Sequence, residues 1–192
     1  MRKILIPTDF SETAMNAIIY AMELFKYDKS KFIVMNAFAD EVHENTIEMD
    51  REFFEEFKQK FREGVEKQLQ KVVAEMLTIS PNPRHVYTSE ARFGNLVDKT
   101  NEIVERENID IVIMGTKGKT ENKNLTFGSN TLQVMKYVKS PVLAIPARYH
   151  GSPLQNILFP TDYMIPFKRR ELKLLSTLAK GFVATLHMAL YF

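Results

Sequence analysis

Residues 111–118 read IVIMGTKG, and this stretch decides the class of fold. Ile111–Met114 is an unbroken apolar run, the pattern of a strand buried on both faces of a parallel sheet. Gly115 and Gly118 then open a loop that runs to Gly128-Ser129, and beyond it Leu132, Met135 and Val138 mark a helix. A buried strand that passes through a glycine loop into a helix is a building unit of an open α/β sheet.

The same alternation extends in both directions. Toward the N-terminus, Lys3–Pro7 (KILIP) predicts a first buried strand, and Ala14, Ala17, Ile18, Ala21, Leu24 and Phe25 predict an amphipathic helix after it. Phe32–Phe38 (FIVMNAF) predicts a second strand. From Glu44 to Leu77 a long surface helix is expected, with Phe54, Phe57, Phe61, Val65, Leu69, Val72 and Met76 as its apolar stripe. Pro81-Asn82-Pro83 ends it, Arg84–Thr88 is a weak third strand, and Gly94-Asn95 turns into a helix carrying Leu96, Thr100, Ile103 and Val104. Toward the C-terminus, Ser140-Pro141 stops the fourth helix and Pro141–Pro146 (PVLAIP) is a fifth strand. Residues 1–147 thus form one α/β domain with right-handed crossovers.

The chain then begins again. Residues 156–163 read NILFPTDY, against KILIPTDF at 3–10, and a helix-like stretch (167–180) and a strand-like stretch (184–190) follow. Residues 148–155 are a linker, and 156–192 an incomplete second β-α-β repeat.

Composition removes whole classes of function. Across 192 residues, 26 Lys and Arg stand against 24 Asp and Glu, a net charge of +2 without the basic footprint of a nucleic-acid binder. With no cysteine, disulfides, thiol catalysis and thiolate metal sites are excluded. No apolar run is long enough for a signal peptide or a membrane span, so a cytoplasmic protein off the membrane is expected. His43, His85, His150 and His187 are scattered, and no protein-only metal site is predicted. His187 reads as a packed core or edge histidine.

A Walker loop, G-x-x-x-x-G-K-[ST], would place its first glycine at Ile113, inside a strand, so that reading fails. What stands is Gly115-x2-Gly118-x9-Gly128-Ser129. It can be a simple turn, or it can bring backbone amides to an anion at a helix N-terminus. Ser129 would add a hydroxyl to such a site, and Lys117, Lys119 and Lys123 positive charge. Asp9, after the first strand, has two compatible readings: a cap for the first helix, boxed with Glu12, or an acceptor for a ribose or an adenine amino group.

The combination PTDFS after strand one, MGTKG after strand four, G-x2-G-x9-G-S and then SPVLAIP resembles the universal stress protein family over about residues 2–146. The resemblance implies a Rossmann-like, open five-stranded parallel sheet of order 3-2-1-4-5 with helices on both faces. It also implies adenine nucleotide binding, specifically ATP with Mg²⁺ or Mn²⁺ accompanying it. Carried over, Pro7, Thr8 and Asp9 line the nucleoside side, and Ala37 takes the place of a valine that meets adenine through its backbone. Met114, Gly115, Gly118, Gly128 and Ser129 surround ribose and phosphates. Asn130 stands where the family often has valine, and could still offer its N–H; Asn36 stands where histidine is usual. Dimerisation in that family often uses the fifth strand, here Val142–Ile145.

The first expectation is therefore an ATP-binding, nucleotide-gated stress-response module with a protein partner that the sequence does not name. Beside it stand a nucleotide-free interaction module and a slow ATPase that needs a partner; no catalytic residue is assigned. Pro160-Thr161-Asp162 of the second repeat faces no glycine loop, so a second site of this type is not expected. The apolar residues of that repeat predict docking on the first domain or on another chain, as a homodimer or a domain-exchanged oligomer.

Overall fold

The computed structural model describes residues 1–46, 50–117, 127–147, 149, 154–162, 164, 166 and 169–190. These divide into two units, Met1–Tyr149 and His150–Phe192. In the first, the order is β1 (Arg2–Pro7), α1 (Glu12–Leu24), β2 (Ser30–Ala37), α2 (Ala39–Asn45), α3 (Arg51–Ile79), β3 (His85–Arg92), α4 (Leu96–Glu107), β4 (Ile111–Gly115), α5 (Ser129–Tyr137) and β5 (Val142–Ile145). The five strands are parallel and lie in the order β3-β2-β1-β4-β5, the α/β sheet expected.

Period-two alternation sends neighbouring side chains to opposite faces. Leu5, Ile33, Met35, Val112 and Met114 pack with Ile103, Val104, Ile109 and Val134, from α4, the turn after it and α5. On the other face α1 lies against β4 and β5, and α3 against β3 and β2. Val65, Leu69, Val72 and Met76 of the expected α3 stripe are buried. Phe54, Phe57 and Phe61, nearer its start, are half-buried.

The long helix does not begin at Glu44. That residue belongs to the separate α2, and a new helix starts where Asp50 accepts the Phe53 N–H at 2.9 Å. Among the described residues, helix therefore stops at Asn45 and restarts at Arg51, while residues 47–49 lie outside the description. Strand β3 extends four residues past Thr88, because all eight of its residues pair with β2, from Ser30↔His85 to Ala37↔Arg92. As an edge strand it needs no continuous apolar run, so its charged end leaves no strand signal in the sequence.

The phase of α5 also differs from expectation. Thr131 and Val134 are buried, while Leu132 and Met135 are exposed. The Thr131 hydroxyl donates to the Gly115 carbonyl at 2.9 Å, which fixes the rotation of the helix against the end of β4.

In the second unit, β6 (Asn156–Thr161), α6 (Arg169–Phe182) and β7 (Thr185–Leu190) form a parallel two-stranded β-α-β, with Ile157 opposite Leu186 and Phe159 opposite Met188. His187 is exposed on β7, an edge strand of this two-stranded sheet, with its Nε2 at 3.0 Å from Asn156 Oδ1, so of its two readings the edge histidine holds and the packed core one does not.

Candidate functional site

The sheet opens at one place. Strands β1 and β4 pair only at Ile4↔Ile111 and Leu5↔Val112. Past that point β1 stays with β2, through Pro7↔Met35 and a 2.8 Å bond from the Thr8 N–H to the Met35 carbonyl. Strand β4 stays with β5, through Gly115↔Ile145 and a 3.0 Å bond from the Thr116 N–H to the Ile145 carbonyl. The two strands part at their carboxyl ends, at the switch point where ligands of open α/β sheets lie. A crevice open to solvent occupies that parting.

Its walls gather most of the residues singled out in the sequence: Pro7, Thr8, Asp9, Ala37, Met114, Gly115, Lys117 and Asn130. Gly128 and Ser129 are the N-cap and first residue of α5, directly before the wall residues Asn130 and Thr131. Gly118, with Lys119 and Lys123, lies outside the described residues.

The turn from β1 to α1 is locked by its own side chains. The Thr8 hydroxyl accepts the Phe10 N–H at 3.0 Å, and Asp9 Oδ1 accepts the Ser11 N–H at 3.0 Å. Such turns hold the chain where Phe10 adopts a left-handed φ of 62°. The cap of α1 is Ser11, which accepts the Ala14 N–H at 3.1 Å. Asp9 is not that cap; it braces the turn one step earlier.

Gly115 owes its identity to packing. A Cβ built there would stand 2.7 Å from Thr13 Cγ2 and 3.0 Å from the Thr13 carbonyl oxygen, so α1 reaches β4 only because no side chain intervenes. Among the described glycines, positive φ belongs to Gly94 (148°), in the turn after β3 on the crevice wall.

At the other side, Gly128 caps α5 in an extended conformation and brings no side chain to the helix's first N–H groups. Its own N–H donates to the Thr116 carbonyl at 2.8 Å, which ties the helix start to the end of β4. The amides of a helix's first turn and the positive end of its dipole favour an anion there.

The β2 side has a different character. Asp40 and Glu41 of α2 line it, together with Asn36. The Asn36 Nδ2 group donates to the Thr8 carbonyl at 2.8 Å, while its Oδ1 is buried without a hydrogen-bond partner. An unmet buried acceptor costs about 1–3 kcal/mol. Sequence reasoning misses Asp40 and Glu41 because it misses α2 itself: ADEVHEN shows charge and no apolar stripe. Asn36 stands out in the sequence only as a departure from a family pattern. Ala14, Leu96 and Thr131, also in the walls, carry no signal beyond helix periodicity.

Among the described residues no three His, Asp or Glu converge to hold a metal ion, and no helix is long and apolar enough to cross a membrane.

The chain is similar to known proteins in both sequence and fold. The universal stress protein MJ0577 of Methanocaldococcus jannaschii is 29% identical over 157 residues, 75% of this chain and 94% of that protein. Its solved structure matches with a TM-score of 0.65 at 28% identity, over 78% of this chain and 98% of that one. A universal stress protein of Archaeoglobus fulgidus matches 98% of this chain with 66% of its own, at 19% identity and a TM-score of 0.68. Another, solved in complex with cAMP, is 15% identical with a TM-score of 0.51, over 76% of this chain and 97% of its own. These last two likenesses are of fold. The pattern of the Universal stress protein family itself matches residues 1–146, the span that builds the sheet and its crevice, and the chain belongs to that family.

Proposed function

We propose that the chain is an ATP-binding universal stress protein, a nucleotide-gated regulatory module. The observation that carries this is the crevice between the parted ends of β1 and β4, with the glycine-capped start of α5 on one side. Phosphates would take the side with Lys117 and the α5 amides, where the dipole favours negative charge. The base and ribose would take the β2 side, between Asp9, Ala37 and Met114. The accompanying Mg²⁺ or Mn²⁺ would be carried by phosphate oxygens and water. The cAMP found on a protein of the same fold is in keeping with an adenine nucleotide here.

Dimerisation is part of the proposal. Strand β5 is the edge of the sheet, and the exposed Leu132 and Met135 of α5 supply apolar surface for a second copy.

Thermal unfolding with and without Mg-ATP tests the nucleotide reading. At a hundred times its dissociation constant, the ligand stabilises the fold by about 2.7 kcal/mol. An unchanged transition at millimolar Mg-ATP would overturn it. Light scattering on wild type and on Leu132→Lys tests the dimer; a monomeric wild type refutes it.

A further inference from the structure

Away from the crevice, helix α3 carries a surface that the sheet does not use. Two hollows lie end to end along it and meet at Gln68, which lines both. Phe57, Phe61 and Val65 floor the first, and Val72 floors the second together with Phe10 and Met15. From Phe57 to Glu75 this groove follows α3 for about 27 Å, the length of a helix of about 18 residues.

Gly64 stands in the groove, near the middle of α3. Glycine is the weakest helix former after proline, so its place in a helix interior asks for a reason. Positive φ among the described glycines belongs to Gly94, and a Cβ built on Gly64 meets nothing within 4 Å. Neither the backbone nor the packing of this chain calls for glycine there. The position is exposed, and a missing side chain lets a second helix cross at short interaxial distance.

The charges along the groove have a defined order. Lys60 stands one turn before Gly64 and Lys71 two turns after it, both exposed. They lie on one helix face, three turns or about 16 Å apart, and among the described residues neither is held in an ion pair. Glu75 adds a carboxylate one turn beyond Lys71.

We propose that this groove docks an amphipathic helix of another protein, one that is apolar on one face and carries carboxylates three turns apart for Lys60 and Lys71. Charge decides the occupant. A second copy laid antiparallel across Gly64 would bring Lys60 against Gln68 and Phe57 against Lys71, leaving both lysines without an anion. A parallel copy would set lysine against lysine. Docking here needs no nucleotide, although Thr8 borders both the groove and the crevice.

The probes are two synthetic helical peptides of about 18 residues, alike in leucine face and central glycine. One carries glutamates three turns apart and the other lysines at the same places. Both are titrated by calorimetry against the full chain without nucleotide. Wild type is expected to bind the glutamate peptide about tenfold more tightly than the lysine peptide. Gly64→Leu should weaken the glutamate peptide at least about tenfold, yet melt no lower than wild type, since leucine favours helix and has room. Lys60→Glu combined with Lys71→Glu should reverse the preference between peptides. Equal binding of the two peptides, no binding of either at about 1 mM, or unchanged affinity in Gly64→Leu overturns the inference. Self-association of wild type that Gly64→Leu abolishes also overturns it, giving the groove to a second copy. Should Gly64→Leu melt lower, the charge reversal decides alone.

Discussion

Replacing Gly115 with alanine tests the claim that α1 and β4 meet without room for a side chain. The added Cβ would lie 2.7 Å from Thr13 Cγ2 and 3.0 Å from the Thr13 carbonyl oxygen, and the second contact is to backbone. The methyl of Thr13 can rotate away, but the carbonyl yields only if the first turn of α1 lifts from the sheet. Overpacking of this kind costs about 1–3 kcal/mol. Gly115 does not have positive φ, so alanine also removes unfolded-state entropy and returns about 0.4–1 kcal/mol. The net expectation is a loss of up to about 2.6 kcal/mol, centred on about 1.3 kcal/mol, which at about 2–4 °C per kcal/mol lowers the melting temperature by about 3–5 °C at the centre of the range. Urea unfolding of wild type, Gly115→Ala, Thr13→Ala and the double variant closes a cycle. Removing Cγ2 should recover part of the loss, with a coupling of at least about 0.5 kcal/mol, while the carbonyl contact keeps the double variant below wild type. A Gly115→Ala protein more stable than wild type, or one whose change is independent of Thr13, would refute the close approach.

The rotation of α5 predicts an asymmetry within the monomer: in urea unfolding at a dilution where the chain is monomeric, Val134→Ala should cost about 2 kcal/mol, whereas Leu132→Ser should stay within about 0.5 kcal/mol. The reverse order would restore the stripe expected from sequence. Ser11→Ala removes the α1 cap and should cost about 1 kcal/mol, with faster hydrogen exchange at the Ala14 amide; unchanged exchange would place the cap elsewhere. Hydrogen bonds from Lys31 and Lys3, reinforced by their charge, hold Glu107 below the ordinary carboxylate range. Its stabilisation is therefore complete above its unfolded value of about 4.3 and is lost as pH falls through the lower folded value. Because the group is partly exposed, the effect should be under about 1 kcal/mol, and Glu107→Gln should flatten the acid limb of urea midpoints between pH 5 and 3, roughly that window. Acid limbs that run parallel would remove Glu107 from the account.

The centre of the sheet is legible because its strands are buried on both faces. KILIP, FIVMNAF and IVIM are unbroken apolar runs, too short for helices in a chain of alternating elements and too apolar for surface loops. The edges are harder. Strand β3 ends in Ser89-Glu90-Ala91-Arg92, whose pairing comes from the β2 backbone and leaves no apolar trace. The α5 stripe lies one position away from the apolar pattern because a polar residue, Thr131, holds the buried place through its bond to Gly115. At the site, motif alone locates the residues after β1 and β4. Asp40 and Glu41 escape it, since a seven-residue helix gives periodicity too little length to register. That Asn36 braces the end of β1 needs coordinates, since a bond from its side chain to the Thr8 carbonyl leaves no mark in the sequence.

The opening at the centre of the sheet comes from main chain, since it exists where β1 follows β2 and β4 follows β5. Stability and selectivity are thereby assigned to different atoms. The ladders that hold the gap apart are indifferent to what lines it, so exposed wall positions such as Asp40 and Asn130 can be exchanged at little cost to the fold. A scaffold divided in this way can drift from one small ligand to another in single substitutions, without passing through an unfolded ancestor.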